Sequence, residues 1–208
     1  MERLPNPPGS LPKVRAHDLK RLEAGTRVWR IYFRGAEHPA TWNTLRYFGP
    51  TNARFDHHTE PERVQKRGIS YAAYGPRAIM TVLAEVFQET RLIDRFRAEP
   101  WVVCYELART VTLLNVGSRW TVRAGGNMAI VAGSRRRARE WSRAIYRACP
   151  DLDGIGYPSS ITNEPCIALY ERAGDSIPTA PVFHDALASL RLFAGLTHLA
   201  DQIAYDLR

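Results

Sequence analysis

Asp56, His57 and His58 stand together in the stretch RFDHH, and imidazole with carboxylate is a ligand set that first-row metals accept. On an extended chain, however, neighbouring side chains point to opposite sides, so the two histidines do not readily share one ion. Loop-anchoring hydrogen bonds are the expected role, and no metal is expected. Cys104, Cys149 and Cys166 are odd in number and lack CxxC spacing, which fits neither a disulfide framework nor a structural zinc site. Reduced thiols follow. The chain has no GxGxxG, no GxxxxGK[ST] and no HExxH, and Ser159 does not sit in a GxSxG elbow. Dinucleotide-binding Rossmann domains, P-loop enzymes, zincins and α/β-hydrolases therefore lose their main support.

Arginine is what remains in excess. Of 29 basic residues only Lys13, Lys20 and Lys66 are lysines, and the formal net charge is +8. A guanidinium presents a planar fork that matches phosphate bidentately, so the bias permits a nucleotide, a nucleic acid or an acidic protein as partner. The run Arg135, Arg136, Arg137, Arg139, Arg143 and Arg147 keeps one alternative open, a basic nucleic-acid-binding protein without catalysis. On a helix these residues spread around much of the circumference, with no RNP, zinc-finger or helix-turn-helix signature beside them. Direct nucleic-acid contact is thus the lesser reading. A third is a non-catalytic partner protein that keeps the fold without turnover.

The elements that must position any site follow from pattern. Ordinary globular composition over 208 residues, 45% hydrophobic and 24% charged, suits one domain with its own core. No stretch approaches the roughly 18 apolar residues of a membrane span, and the N-terminus lacks the apolar segment of a secretory signal, so a cytoplasmic protein is expected. Residues 1–25 read as a proline-rich surface arm. TRVWRIYF from Thr26 alternates as a strand, with Val28, Arg30 and Tyr32 sharing a face. Residues 34–66 read as a long, partly structured loop, and GISYAA as a short strand before Pro76. A helix is predicted over 77–91, where Ile79, Val82, Leu83 and Val86 form an apolar stripe and Glu85 falls off it, toward solvent or a cleft. Trp101 to Leu107 and Val111 to Leu114 suggest a hairpin. Ser134 is placed to cap a helix with Ala138, Trp141 and Ile145 inward. Residues 155–162 read as a loop before the buried strand CIALYE, and residues 185–208 as an amphipathic helix or helix pair. Separated strands and helices point to an α+β fold with a mixed sheet and flanking helices.

Taken one at a time, the polar candidates have plain structural readings. Arg30 on a strand can pair with a buried carboxylate, Tyr71 can be a core aromatic, Glu85 can be solvated, and Ser159 beside Pro158 can be a turn residue. In chain order, though, WRIY with Arg30, RYFGPTNARFDHH with Arg54, ISYAA with Tyr71, VLAEVF with Glu85, and GIGYPSS with Ser159 before CIALY resemble the RES domain. Members of that family are toxins of bacterial RES–Xre toxin–antitoxin pairs. The resemblance runs from Thr26 to Arg172.

The resemblance implies a compact mixed-sheet fold similar to ADP-ribosyltransferase toxins, with a catalytic domain over 26–175 and a C-terminal helical extension over 176–208 packed on it. It implies NAD as substrate, cleaved between nicotinamide and ribose by hydrolysis, phosphorolysis or ADP-ribosyl transfer, without a metal. Carried onto this chain, Arg30, Arg54 and Tyr71 bind NAD, while Glu85, Arg54 and Ser159 carry the chemistry. Ser160, adjacent to Ser159, competes for the serine role. An Xre-type antitoxin is the implied partner, and a homo-oligomer is an open possibility.

Overall fold

The structure, a computed structural model, describes residues 4–208. Its strands, in chain order, are β1 (Leu19–Leu22), β2 (Arg27–Phe33), β3 (Arg46–Gly49), β4 (Arg63–Tyr74), β5 (Leu92–Ile93) and β6 (Pro100–Glu106), then β7 (Val111–Asn115), β8 (Gly154–Pro158), β9 (Pro165–Tyr170), β10 (Phe183–Ala186) and β11 (Asp206–Leu207). The helices are α1 (Ala78–Phe87), α2 (Arg119–Arg123), α3 (Ala129–Ala132), α4 (Arg135–Ala148) and α5 (Phe193–Ile203). Nine strands form one sheet in the order β1-β7-β8-β9-β4-β2-β6-β10, with β3 added to β4, and all its pairings are antiparallel except β7 with β8. The α+β architecture with a mixed sheet and flanking helices is therefore as expected. No helix among the described residues is long and apolar enough to cross a membrane.

Helices cover the sheet because each has one apolar stripe. α4 buries Ala138, Trp141 and Ile145 completely, as its periodicity predicts, although the Ser134 side chain makes no capping hydrogen bond. Trp141 meets Trp120 of α2 edge to face at 6.5 Å. Their indole N–H groups donate to Pro5 O at 2.8 Å and Pro12 O at 3.2 Å, which fastens the proline-rich N-terminal segment to the core. α1 and α5 pack together over another part of the sheet, through Val82, Leu83, Phe87 and Leu196.

Several local expectations are corrected. β6 and β7 do not form a hairpin: β6 is claimed by β2 and β10, and β7 by β1 and β8. The presumed loop over 34–66 contains β3 and the start of β4. The glycine, proline and serine segment at 155–162 begins within a strand, β8, which pairs with β7 and β9, and Gly154 at its start permits close approach. A Cβ on Gly154 would lie 2.1 Å from the Ala168 carbonyl oxygen of β9. The closing segment is a strand, a short helix and a second strand, since β10 pairs with β6 and β11 with β5. The sheet thus takes strands from both the N-terminal 1–25 and the C-terminal 176–208 segments.

Glu171, directly after β9, shows how polar groups hold these layers. Tyr146 of α4 donates its hydroxyl to Oε1, and Gly68 N–H of β4 donates to Oε2 at 2.9 Å. The buried His57 ring lies 3.8 Å from the same carboxylate. Burial opposes ionisation, but these donors outweigh it and lower the carboxyl to about 2 from its ordinary 4.5. A depressed carboxyl contributes stability above pH 4.5, and this is lost as the pH falls toward about 2. Glu171→Gln is expected to lower stability at pH 7 by about 2 kcal/mol. It should also flatten the decline of melting temperature over that acid interval; parallel declines in variant and wild type would disprove the assignment.

Candidate functional site

A cavity opens where two strands part. β2 pairs with β4 only at Val28↔Tyr74 and Trp29↔Ala73, and beyond that the strands diverge. The residues that would have continued the ladder, 30–33 of β2 and 69–72 of β4, instead line a cavity of about 810 Å³. β3 fills part of the vacated β4 edge, pairing Arg46 with Ile69. Helix α1 contributes a further wall through Val82, Glu85 and Val86. Val86, expected in the core stripe, is half-exposed at this wall. Such a hollow is large enough for a nucleotide-sized ligand.

Arg30, Arg54, Tyr71 and Glu85 all line this one cavity, together with Ser160. Arg30 is buried and pairs with no carboxylate among the described residues. Its Nη1 donates to Trp42 O at 3.1 Å and Thr44 O at 2.7 Å, tying the crossing loop to β2 where the strand ladder has ended. Arg54 donates from Nη1 to Gly133 O at 2.6 Å. Burial lowers the pKa of both guanidiniums, and for Arg54 the nearby Arg135 adds to this while Glu85 opposes it. Both remain cations at neutral pH, since arginine starts so far above it.

Glu85 has no cation within ion-pair distance among the described residues; its hydrogen-bond partners are a serine and a glutamine. Ser159 Oγ donates to Glu85 Oε1 at 2.6 Å, and Ser159 Oγ itself accepts from Ile161 N–H and Thr162 N–H, both at 3.1 Å. With donor and acceptors all engaged, Ser159 is nearly fully buried behind the glutamate, while its neighbour Ser160 faces the cavity. Gln88 Nε2 holds the Glu85 carbonyl at 2.6 Å, one turn along the helix. The carboxylate is thus oriented by its neighbours and makes no ion pair among the described residues.

Tyr71 presents its ring to the cavity, and its hydroxyl is buried without a hydrogen-bond partner. Burial, followed by the Asp56 carboxylate, pushes that hydroxyl up, so the ring stays neutral. Asp56 itself anchors the 49–58 loop, as expected for RFDHH. It accepts from Arg46 Nη2 at 2.9 Å, Thr51 N–H at 2.7 Å, Thr51 Oγ1 at 2.8 Å and His58 N–H at 2.9 Å, and pairs with His58 Nδ1 at 2.6 Å. Burial disfavours its charge, but these donors together hold the carboxyl well below the usual range. Among the described residues no three His, Cys, Asp or Glu side chains converge as metal ligands would.

Sequence reasoning missed three groups. Arg46, Arg135 and Tyr157 also line the cavity, and Arg135 is paired with Glu89 just after α1. Tyr157 had a signal, since it lies within GIGYPSS; Arg135 was read only as part of a basic run. Within that run Arg135, Arg137 and Arg139 are engaged by Glu89, Glu140 and Asn52, leaving Arg136 and Arg147 exposed. Cys166 is buried at the cavity wall, where burial and then Glu85 push its thiol up, so it stays protonated.

The arrangement offers guanidiniums, aromatic rings and, in Glu85, a carboxylate with no ion-pair partner among the described residues, around a common volume. Such a site can hold an anionic ligand and stabilise positive charge that develops near the carboxylate. No protein-family model matches the chain, and no curated protein matches it. Among solved structures, a chain of the M. tuberculosis MbcT–MbcA toxin–antitoxin complex is similar, with a TM-score of 0.53 over 86% of this chain and 92% of that chain. The two sequences are 12% identical, and the likeness is one of fold.

Proposed function

We propose that this chain is the toxin of a bacterial toxin–antitoxin pair and that it breaks the nicotinamide–ribose bond of NAD. The observation that carries the reading is Glu85, a single serine-held carboxylate sharing one cavity with Arg30, Arg54 and Tyr71. The fold likeness to a chain of a toxin–antitoxin complex and the RES-like order of motifs support it. In this reading Arg54 and Arg30 bind the diphosphate with charge-assisted hydrogen bonds, and Arg135 lies close enough to add to that field. Tyr71 stacks on the cationic nicotinamide ring, an attraction of about 0.5 to 2 kcal/mol.

As the C–N bond breaks, its electron pair leaves with nicotinamide, which departs neutral and needs no proton. Positive charge then spreads over the ribose as an oxocarbenium ion. Glu85 stabilises that charge and accepts a hydrogen bond from a ribose hydroxyl. An acceptor oxygen from water, phosphate or a protein side chain closes the new C–O bond and releases its proton to solvent. Ser159 acts as a positioning residue, because its hydroxyl is already used by Glu85 and two backbone amides. The antitoxin of the pair is of Xre type by the same resemblance, and no metal takes part.

Incubation of purified protein with NAD, followed by chromatography of nicotinamide and mass analysis of ADP-ribose products with and without phosphate, tests the reaction and identifies the acceptor. Absence of nicotinamide release, with the protein folded, overturns the proposal. Ser159→Ala is expected to cost about tenfold in kcat with KM little changed, about 1.4 kcal/mol. Native stability should fall by about 1 kcal/mol as two amides lose their acceptor. An unchanged kcat in this variant would remove the positioning role.

A further inference from the structure

The outward side of α5 lies opposite its core side. Leu192, Leu196, Leu199, Ala200 and Ile203 pack inward, which leaves Ala194, Thr197, His198 and Asp201 as one exposed stripe at helical spacing. Beside the start of this stripe lies Arg95, only 8% exposed. Its guanidinium carbon is 5.0 Å from the Phe96 ring centre and 4.8 Å from that of Phe193. Nε and Nη1 are buried with no hydrogen-bond partner, and no carboxylate among the described residues forms an ion pair with them. Its sequence neighbour Asp94 is committed elsewhere, to Arg208 and the N–H groups of Phe96 and Arg97.

A buried cation without an acid is a standing cost, and the rings that bury it are themselves in water. Phe96 is 58% exposed, Phe193 48%, and Leu190, three residues earlier, 86%. A surface that brings a carboxylate and apolar cover relieves both at once. The chain carries such a carboxylate itself: Asp201 is exposed, has no ion-pair partner among the described residues, and sits two turns along the same stripe.

We propose that the occupant is a second copy of this chain, α5 packed antiparallel on α5 about a two-fold axis between Thr197 and His198. Arg95 of each protomer then pairs with Asp201 of the other. In an isologous contact about that centre, Ala194 lies opposite Asp201 and Thr197 opposite His198. The small side chains of Ala194 and Thr197 allow helix axes to approach to about 8–10 Å. The Phe193 flank, with Arg95 behind it, meets the last turn of the opposite helix, where Asp201 projects. A free acidic peptide matches Arg95 alone; a second copy matches the cation, the apolar flank and the mirrored acid together.

Sedimentation velocity of the full chain at about 50 µM, a concentration that fills a micromolar dimer, tests this. The expected particle has twice the 23.6 kDa chain mass. Asp201→Arg and Thr197→Glu, both on the exposed side, should each raise the dimer dissociation constant at least about tenfold while leaving the melting temperature of the monomer intact. Adding Arg95→Asp to Asp201→Arg should restore the dimer. A monomeric wild type, or dimerisation unaffected by Asp201→Arg and Thr197→Glu, overturns the proposal. So does a natively folded charge-swapped protein that stays monomeric.

Discussion

Replacing Glu85 by glutamine is expected to reduce nicotinamide release from NAD at least about 100-fold in kcat, about 2.7 kcal/mol of transition-state stabilisation. The substitution is close to isosteric, so Ser159 Oγ can still donate to the remaining carbonyl oxygen at the Oε1 position, where it now donates at 2.6 Å. Glu85 makes no ion pair among the described residues, so removing its charge breaks no salt bridge and the melting temperature should stay near that of wild type. What changes is the field at the ribose, which must become cationic as nicotinamide leaves. Expression in a bacterial host should follow the same order: growth arrest and falling cellular NAD with wild type, neither with Glu85→Gln. A variant that keeps activity to within about threefold would show that the carboxylate does not stabilise the transition state.

Arg54→Ala should raise KM for NAD about 10- to 100-fold with a smaller change in kcat, because a diphosphate contact is made in the ground state and the transition state alike. Hydrogen bonds between charged groups contribute about 1.5 to 3 kcal/mol, which sets that range. Arg54→Lys should recover little of the loss, since an ammonium cannot reproduce the fork that holds Gly133 O through one nitrogen and leaves others for the ligand. Steady-state kinetics separates the outcomes. A fall in kcat with KM unchanged would mean that Arg54 reads the leaving group or the oxocarbenium ion, and the diphosphate assignment would fail. Because Arg54 lies near both Glu85 and Arg135, the Glu85→Gln and Arg54→Ala effects are not expected to add.

Helix α4 was legible from its sequence because a 3.6-residue period and three fully buried apolar positions coincide. The same holds for β2, and for Glu85 standing off the apolar stripe of α1. What was not legible was pairing. β6 and β7 are adjacent in sequence and each reads as a strand, yet which edge a strand finds depends on partners more than 40 residues away. The 155–162 segment misled for a related reason, since its glycine, proline and serines read as a loop while β8 pairs with β7 and β9 far along the chain.

The set Arg30, Arg54, Tyr71, Glu85 and Ser159 came from the resemblance of its motif order to a known family; from its residues alone the chain determined its class of elements and its excess of guanidinium over ammonium. These are properties of single side chains and of short periods, which local chemistry dictates. Only the tertiary structure decided that β2 and β4 separate after Trp29 and so open a cavity, that Ser159 stands behind Glu85 while Ser160 faces the hollow, and that Arg135 joins the wall. Each of those depends on where long-range strand pairing stops and on which groups packing brings within hydrogen-bond reach. Such distances are fixed by the whole sheet at once, and no window of sequence contains them.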